Sequence, residues 1–169
     1  MKKSVKIAFC GIMAAIITVL MAASLIPNAT YAAPAVAGLF IIPVFIEAGT
    51  GWALACYLVS AALSFYGDKT SWVFYIALFG YYPIVKPYIE KIKNPVLKWL
   101  LKLLVFDTAA GLCYAVEVLA FGFTVETWVL ITLAVLGNAA FVLYDIAVSR
   151  MAALYCMRLH KRISSILKK

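Results

Sequence analysis

The sequence predicts an all-α, polytopic membrane protein with six transmembrane helices, some of them short. Three observations predict it. The 169 residues are 66% hydrophobic and 13% charged, against roughly 45–50% and 25% in a soluble domain. The apolar residues gather in six runs divided by short polar or glycine-containing breaks. If those runs cross the membrane alternately, fourteen of the fifteen Lys and Arg residues gather on one side, as basic residues do on the cytoplasmic face. The composition excludes a soluble globular enzyme, a disordered chain and a secreted disulfide scaffold. A spanning helix takes about 20 residues, so six spans leave no room for a soluble domain. The chain reads as one integral membrane domain, 1–169.

The first run, 5–27, is preceded or opened by Lys2, Lys3 and Lys6 and closed by Pro27-Asn28. Runs 32–46 and 52–66 are separated by Glu47-Ala48-Gly49-Thr50-Gly51. The fourth, 71–85, lies between Gly67-Asp68-Lys69-Thr70 and the stretch from Lys86 to Lys93. The fifth covers 97–121 and the sixth 125–149. Runs two to four correspond to about 22 Å of helix, short of the ~30 Å hydrocarbon core. They call for bilayer thinning, snorkelling ends or burial in the bundle, and 32–66 is either a full hairpin or a re-entrant one. Pro83 and Pro87 are expected to kink or end the fourth helix. The tail, 150–169, continues the sixth helix as a basic amphipathic segment suited to anionic lipid or a cytoplasmic partner.

With the N-terminus inside, segments 1–6, 47–51, 86–98 and 150–169 are cytoplasmic, and Lys69 is the one base on the outer side. Fusing runs two and three would move the Lys86–Lys98 cluster outside, so that arrangement is set aside. The net charge of +8 is then a topology signal, and no nucleic-acid partner is expected. A cleaved signal peptide ending near Thr30-Tyr31-Ala32 is the rival for the first run. Its apolar stretch exceeds the ~7–15 residues of a signal h-region.

Little in the chain speaks for catalysis. His160 is the sole histidine and stands in a basic tail, so no zinc site forms around it. Cys10, Cys56, Cys113 and Cys156 make no C-x-x-C pair and read as small apolar core residues. There is no phosphate-binding glycine loop and no G-x-S-x-G elbow. The expectation is a non-enzyme with no cofactor and no metal.

The polar residues at membrane depth are the informative ones, since charge there is costly. Asp107 in the fifth span and Asn138 in the antiparallel sixth fall at similar depth, which suits a register-fixing hydrogen bond or, alternatively, a substrate or ion contact. Asp145 matches Lys102 in depth, and an ion pair to Lys102 or Lys86 is expected. Glu47 ends the second run as an interfacial residue. Tyr31, Tyr66, Trp72, Tyr75, Phe121, Phe123 and Trp128 cluster toward the outer ends, as an aromatic belt or as walls for a flat ligand. Gly11 and Ala15 form a small-xxx-small pair that lets another helix approach closely, within the chain or from another subunit.

Six short helices with both ends inside, about 170 residues in all and with an alanine-rich first helix, resemble the substrate-binding (S) subunits of energy-coupling factor transporters. In that family a first-helix Ala-x-x-x-Ala faces the scaffold T subunit; here Gly11-x-x-x-Ala15 is the nearest match. The run Phe79-Gly80-Tyr81-Tyr82-Pro83-Ile84-Val85-Lys86 and the later Tyr144-Asp145 are also similar to segments of membrane proteins of Gram-positive bacteria to which no activity attaches. The resemblance implies capture of a vitamin-sized, water-soluble micronutrient from outside, in a cavity using Tyr31, Trp72, Tyr75, Glu117 and Trp128. Energy would come from cytoplasmic ATPase subunits through a T subunit in the cell membrane. A non-catalytic structural or assembly protein of the bacterial membrane is the alternative.

Overall fold

The computed structural model describes residues 3–26, 29–122 and 126–159, without the side chains of residues 117, 120, 121 and 159. It is all-helical. α1 spans Lys3–Ala22 and tightens into a 3-10 turn at Ala23–Leu25. α2 (Ala32–Leu39) and α3 (Ile41–Ala48) make up the second apolar run. α4 (Thr50–Leu63) ends in a second 3-10 turn, Ser64–Tyr66. The fourth run is α5 (Lys69–Phe74), a π-helical segment Tyr75–Phe79, and α6 (Tyr82–Ile89). α7 covers Pro95–Phe121 and α8 Thr127–Leu154, the latter running into a π turn at Tyr155–Leu159.

Prolines mark where these helices start. Pro34, Pro43, Pro83 and Pro95 each lie in the first turn of α2, α3, α6 and α7. A first-turn residue has no intrahelical acceptor for its N–H, so proline's missing donor costs nothing there. The second run therefore breaks at Phe40, before Pro43. The fourth breaks at Gly80-Tyr81, before Pro83, while Pro87 is accommodated inside α6, which ends two residues later. Asp68 caps α5, its carboxylate accepting from the Ser71 N–H at 2.8 Å. Gly49, at φ +93°, makes the turn between α3 and α4 in backbone space open mainly to glycine.

α1 and α4 lie side by side and parallel. Lys6 Nζ reaches Ala48 O at 3.3 Å near one end, and Cys56 Sγ meets Cys10 O at 3.6 Å further along. Two buried clusters form the core. One joins α1, α2, α3 and α4 through Ile17, Met21, Ala37, Ile41, Val44 and Cys56. The other joins α3, the π segment and α6 to α7 and α8 through Ile42, Leu78, Tyr82, Phe106 and Phe141. Phe106 and Phe141 stack with centroids 4.6 Å apart.

Three helical stretches are long and apolar enough to cross a membrane: Lys3–Leu25, Pro95–Val116 and Thr127–Arg158. Only 28%, 22% and 17% of their most apolar windows is buried. Exposed Leu104, Leu112, Ile131, Leu133 and Leu136 would be costly in water and suit lipid. Three long apolar helices, with the shorter apolar stretches Ala32–Ala48 and Thr50–Tyr66, make this a multi-pass membrane architecture.

Candidate functional site

The most concentrated chemistry is a buried ionic cluster where α6, α7 and α8 meet. Asp145 of α8 is its centre. Its Oδ1 accepts from Lys86 Nζ of α6 at 2.6 Å, from Tyr82 Oη at 2.5 Å and from Lys102 Nζ of α7 at 3.0 Å. Its Oδ2 takes Lys102 Nζ at 2.9 Å. Lys86 also donates to the Asp145 carbonyl and to Ser149 Oγ, the latter at 2.6 Å. Glu90, at the end of α6, lies 3.2 Å from Lys102 and 3.7 Å from Lys86. Both lysine side chains are 4% exposed and that of Asp145 is 6%, whereas Glu90 is 44% exposed. Charges this deep persist only when paired and hydrogen-bonded. Two ammonium groups against two carboxylates balance formally. Lys102 additionally passes 5.1 Å from the centroid of the Trp99 ring, a cation–π contact.

Both ion pairs expected for Asp145, to Lys102 and to Lys86, are formed. Sequence reading did not bring in Tyr82 and Glu90. The signal was present: positions 82, 86 and 90 follow one another at i, i+4 along one side of a helix. Beside the cluster lies a cavity of about 280 Å³ between α3, α6 and α8, with Lys86, Glu90 and Ser149 as polar lining and Ile42, Phe45 and Val148 among its apolar walls.

A second polar pair sits apart. Asn138 Nδ2 donates to Asp107 Oδ1 at 2.9 Å and to Ala134 O at 3.0 Å, linking α8 to α7. Asp107 is exposed on α7, at the end of a groove of about 720 Å³ that runs along that helix from Pro95 to Thr108.

The residues expected to bind substrate are spread out. Tyr31 is exposed and meets the Phe74 ring edge-on at 5.1 Å. Trp72 is half-buried and donates its ring N–H to Ala61 O at 2.7 Å. Tyr75 is fully buried, its hydroxyl 2.7 Å from Ser60 Oγ, and belongs to the first core cluster. Trp128 is exposed on α8 and donates to the Glu126 carboxylate. Neither of the two cavities above is lined by any of these four. The Glu117, Phe121 and Phe123 side chains, Asn28 and the tail from His160 onward lie outside the described residues. Glu47 accepts from the Tyr155 hydroxyl at 3.0 Å, joining the end of α3 to the end of α8.

Gly11 and Ala15 stand on the outward face of α1. Nothing lies within 4 Å of where a Cβ on Gly11 would be. Ser4, Ala8, Gly11, Ala15 and Ala22 are all exposed, while Cys10, Ala14, Ile17 and Met21 on the other face are buried. Comparisons with protein-family models, with curated proteins and with solved structures found no match.

Proposed function

We propose that the chain is a six-span protein of the cell membrane, with both termini cytoplasmic, that serves as the substrate-binding subunit for uptake of a small water-soluble micronutrient. A T subunit and ATPase subunits would supply the energy. The observation that carries this reading is a row of small residues on the uncovered face of α1, a face they share with the larger Ile7, Ile12 and Val19. Positions 4, 8, 11, 15 and 22 keep close to a 3.5-residue seam, the period along which a second helix packs. Small residues on such a seam let helix backbones approach closely in lipid, where the gain comes from packing rather than water exclusion. The chain's own helices use the opposite face, so the seam is open to lipid or to another polypeptide. Resemblance to the S subunits assigns that partner to the T subunit.

A solute pathway draws support from the interrupted helices. α2 breaks into α3 at Phe40, and the π segment breaks into α6 at Gly80-Tyr81, immediately before the buried ionic cluster begins at Tyr82. Broken helices and ionisable groups at membrane depth mark substrate and ion paths in transporters. The self-neutral Lys86, Lys102, Asp145 and Glu90 cluster favours the second reading, a structural or assembly protein whose charges only lock helices together.

Native mass spectrometry of the chain purified from its own membranes separates the two. A retained small molecule, together with a membrane subunit and ATPase activity that both disappear in Gly11→Leu, supports the transport subunit. A folded, ligand-free chain without ATPase activity supports the structural reading.

A further inference from the structure

We infer that the C-terminal ends of α1 and α4 together form a binding site for a monovalent alkali cation, lined by the Ser24 hydroxyl and the backbone oxygens of Met21 and Ser64, with the orphaned Ser64 hydroxyl on the same turn free to rotate toward it. The starting point is a pair of orphaned groups. Ser24 and Ser64 are each 3% exposed, and neither Oγ has a hydrogen-bond partner among the described residues. A buried hydroxyl without a partner is costly, and two at the same end of a helix pair call for a ligand. Ser24 lies in the 3-10 turn that ends α1, and Ser64 in the one that ends α4.

Gly67 shows that the two turns meet around a common space. A Cβ on this residue would lie 3.3 Å from Ser64 O, 3.6 Å from Met21 O and 3.7 Å from Ser24 Oγ. Its φ of −77° and ψ of −163° are open to any residue, so the lack of a side chain serves space rather than conformation. Three oxygens from two helix ends therefore lie within 4 Å of one point. Ser64 O already accepts from Gly67 N at 3.0 Å and keeps a second lone pair.

The electrostatics select the ligand. α1 and α4 run parallel, so their two partially negative C-terminal ends are brought side by side. Lys69 meets part of it by donating to Phe65 O at 2.8 Å; a further cation at Ser24 and Ser64 O relieves the rest, whereas an anion would add to it. All the converging oxygens are neutral, and the nearest carboxylate in sequence, Asp68, is already engaged with the Ser71 N–H and hydroxyl, each at 2.8 Å. Divalent cations are held largely by carboxylates. Hydroxyls and carbonyls at helix C-terminal ends suit sodium or potassium. The site does not depend on the transport reading and would hold equally in a structural protein.

Thermal unfolding of the purified full chain in NaCl, KCl and choline chloride at equal ionic strength tests the site. A saturable rise in Tm with an alkali ion over choline is expected, by roughly 5–10 °C at a hundredfold excess over Kd. Ser24→Ala and Ser64→Ala should each lose that rise. In choline these variants should be as stable as the parent, because each deletes an orphaned hydroxyl; that control separates loss of the site from loss of the fold. Gly67→Ala should lose the ion response by placing a methyl group in the space. Equal Tm values in all three salts, an ion response that survives both serine variants, or serine variants equally destabilised in every salt (the behaviour of a buried water) would each overturn the inference.

Discussion

Asp145 ties three helices together through one carboxylate, and its neighbours follow from that. Replacing it with Asn leaves Lys86 and Lys102 buried against a half-exposed Glu90. Removing one partner of a buried ionic group costs about 3–5 kcal/mol. Asp145→Asn should therefore lower stability by that order in denaturant unfolding of the purified protein in detergent micelles. Lys102→Met should also destabilise. Adding Glu90→Gln to it should recover part of the loss, because the remaining Lys86–Asp145 pair is neutral; a double variant worse than the sum would sink this view of the charge balance. Asp107→Asn should be mild, within about 1 kcal/mol, since an amide still pairs with Asn138 and interhelical hydrogen bonds in membrane proteins average ~0.6 kcal/mol. If uptake is normal in that variant at normal expression, Asp107 has only the structural role. The pairs at 102 with 145 and 107 with 138 are legible in the sequence because antiparallel helices equate depths. Tyr82 and Glu90 are harder to see, since their role depends on α6 being a separate helix that presents 82, 86 and 90 together. Tyr75 reads as one more outer aromatic by position, and nothing local in the sequence says that its ring turns inward to Ser60.

The long helices are plain in the sequence, and the broken ones are not. Predominantly apolar stretches of 20 or more residues, with few charges, give α1, α7 and α8 directly. The breaks in the second and fourth runs fall before Pro43 and Pro83 rather than at them, because proline is accepted in a first helical turn and the preceding residue absorbs the bend. Close approach of elements adds a constraint that periodicity does not carry. Gly38 of α2 sits against the π segment so tightly that a Cβ there would collide with Phe79 O and come within 2.7 Å of the Tyr144 hydroxyl. Gly38→Ala should destabilise by about 1–3 kcal/mol through overpacking, read as a lowered unfolding midpoint. A neutral result would show that α2 can move off the π segment. Gly11→Ala, by contrast, meets nothing and should leave the unfolding midpoint of the isolated chain unchanged or slightly raised, as alanine favours the helix.

At the scale of the whole molecule, lipid explains the exposed apolar surfaces of the three long helices, and the orientation proposed from the positive-inside count is directly testable. A cysteine placed at Lys69 should react with a membrane-impermeant thiol reagent in intact cells, and one at Lys93 only after the membrane is opened; the reverse pattern would invert the topology. The location of the long apolar runs was legible from the order of residues in the sequence. The uncovered face of α1 was not, since a small-xxx-small pair in sequence serves equally for packing inside the chain and for packing outside it. Which of these applies decides the central claim. The most direct measurement is purification of the chain from its native membranes, with wild-type and Gly11→Leu forms compared for bound small molecule and associated ATPase activity. The account predicts that the wild-type chain carries a small molecule and brings ATPase activity with it, and that Gly11→Leu folds with the same Tm but loses the ATPase. A wild-type chain that is folded, free of ligand and free of ATPase would contradict it.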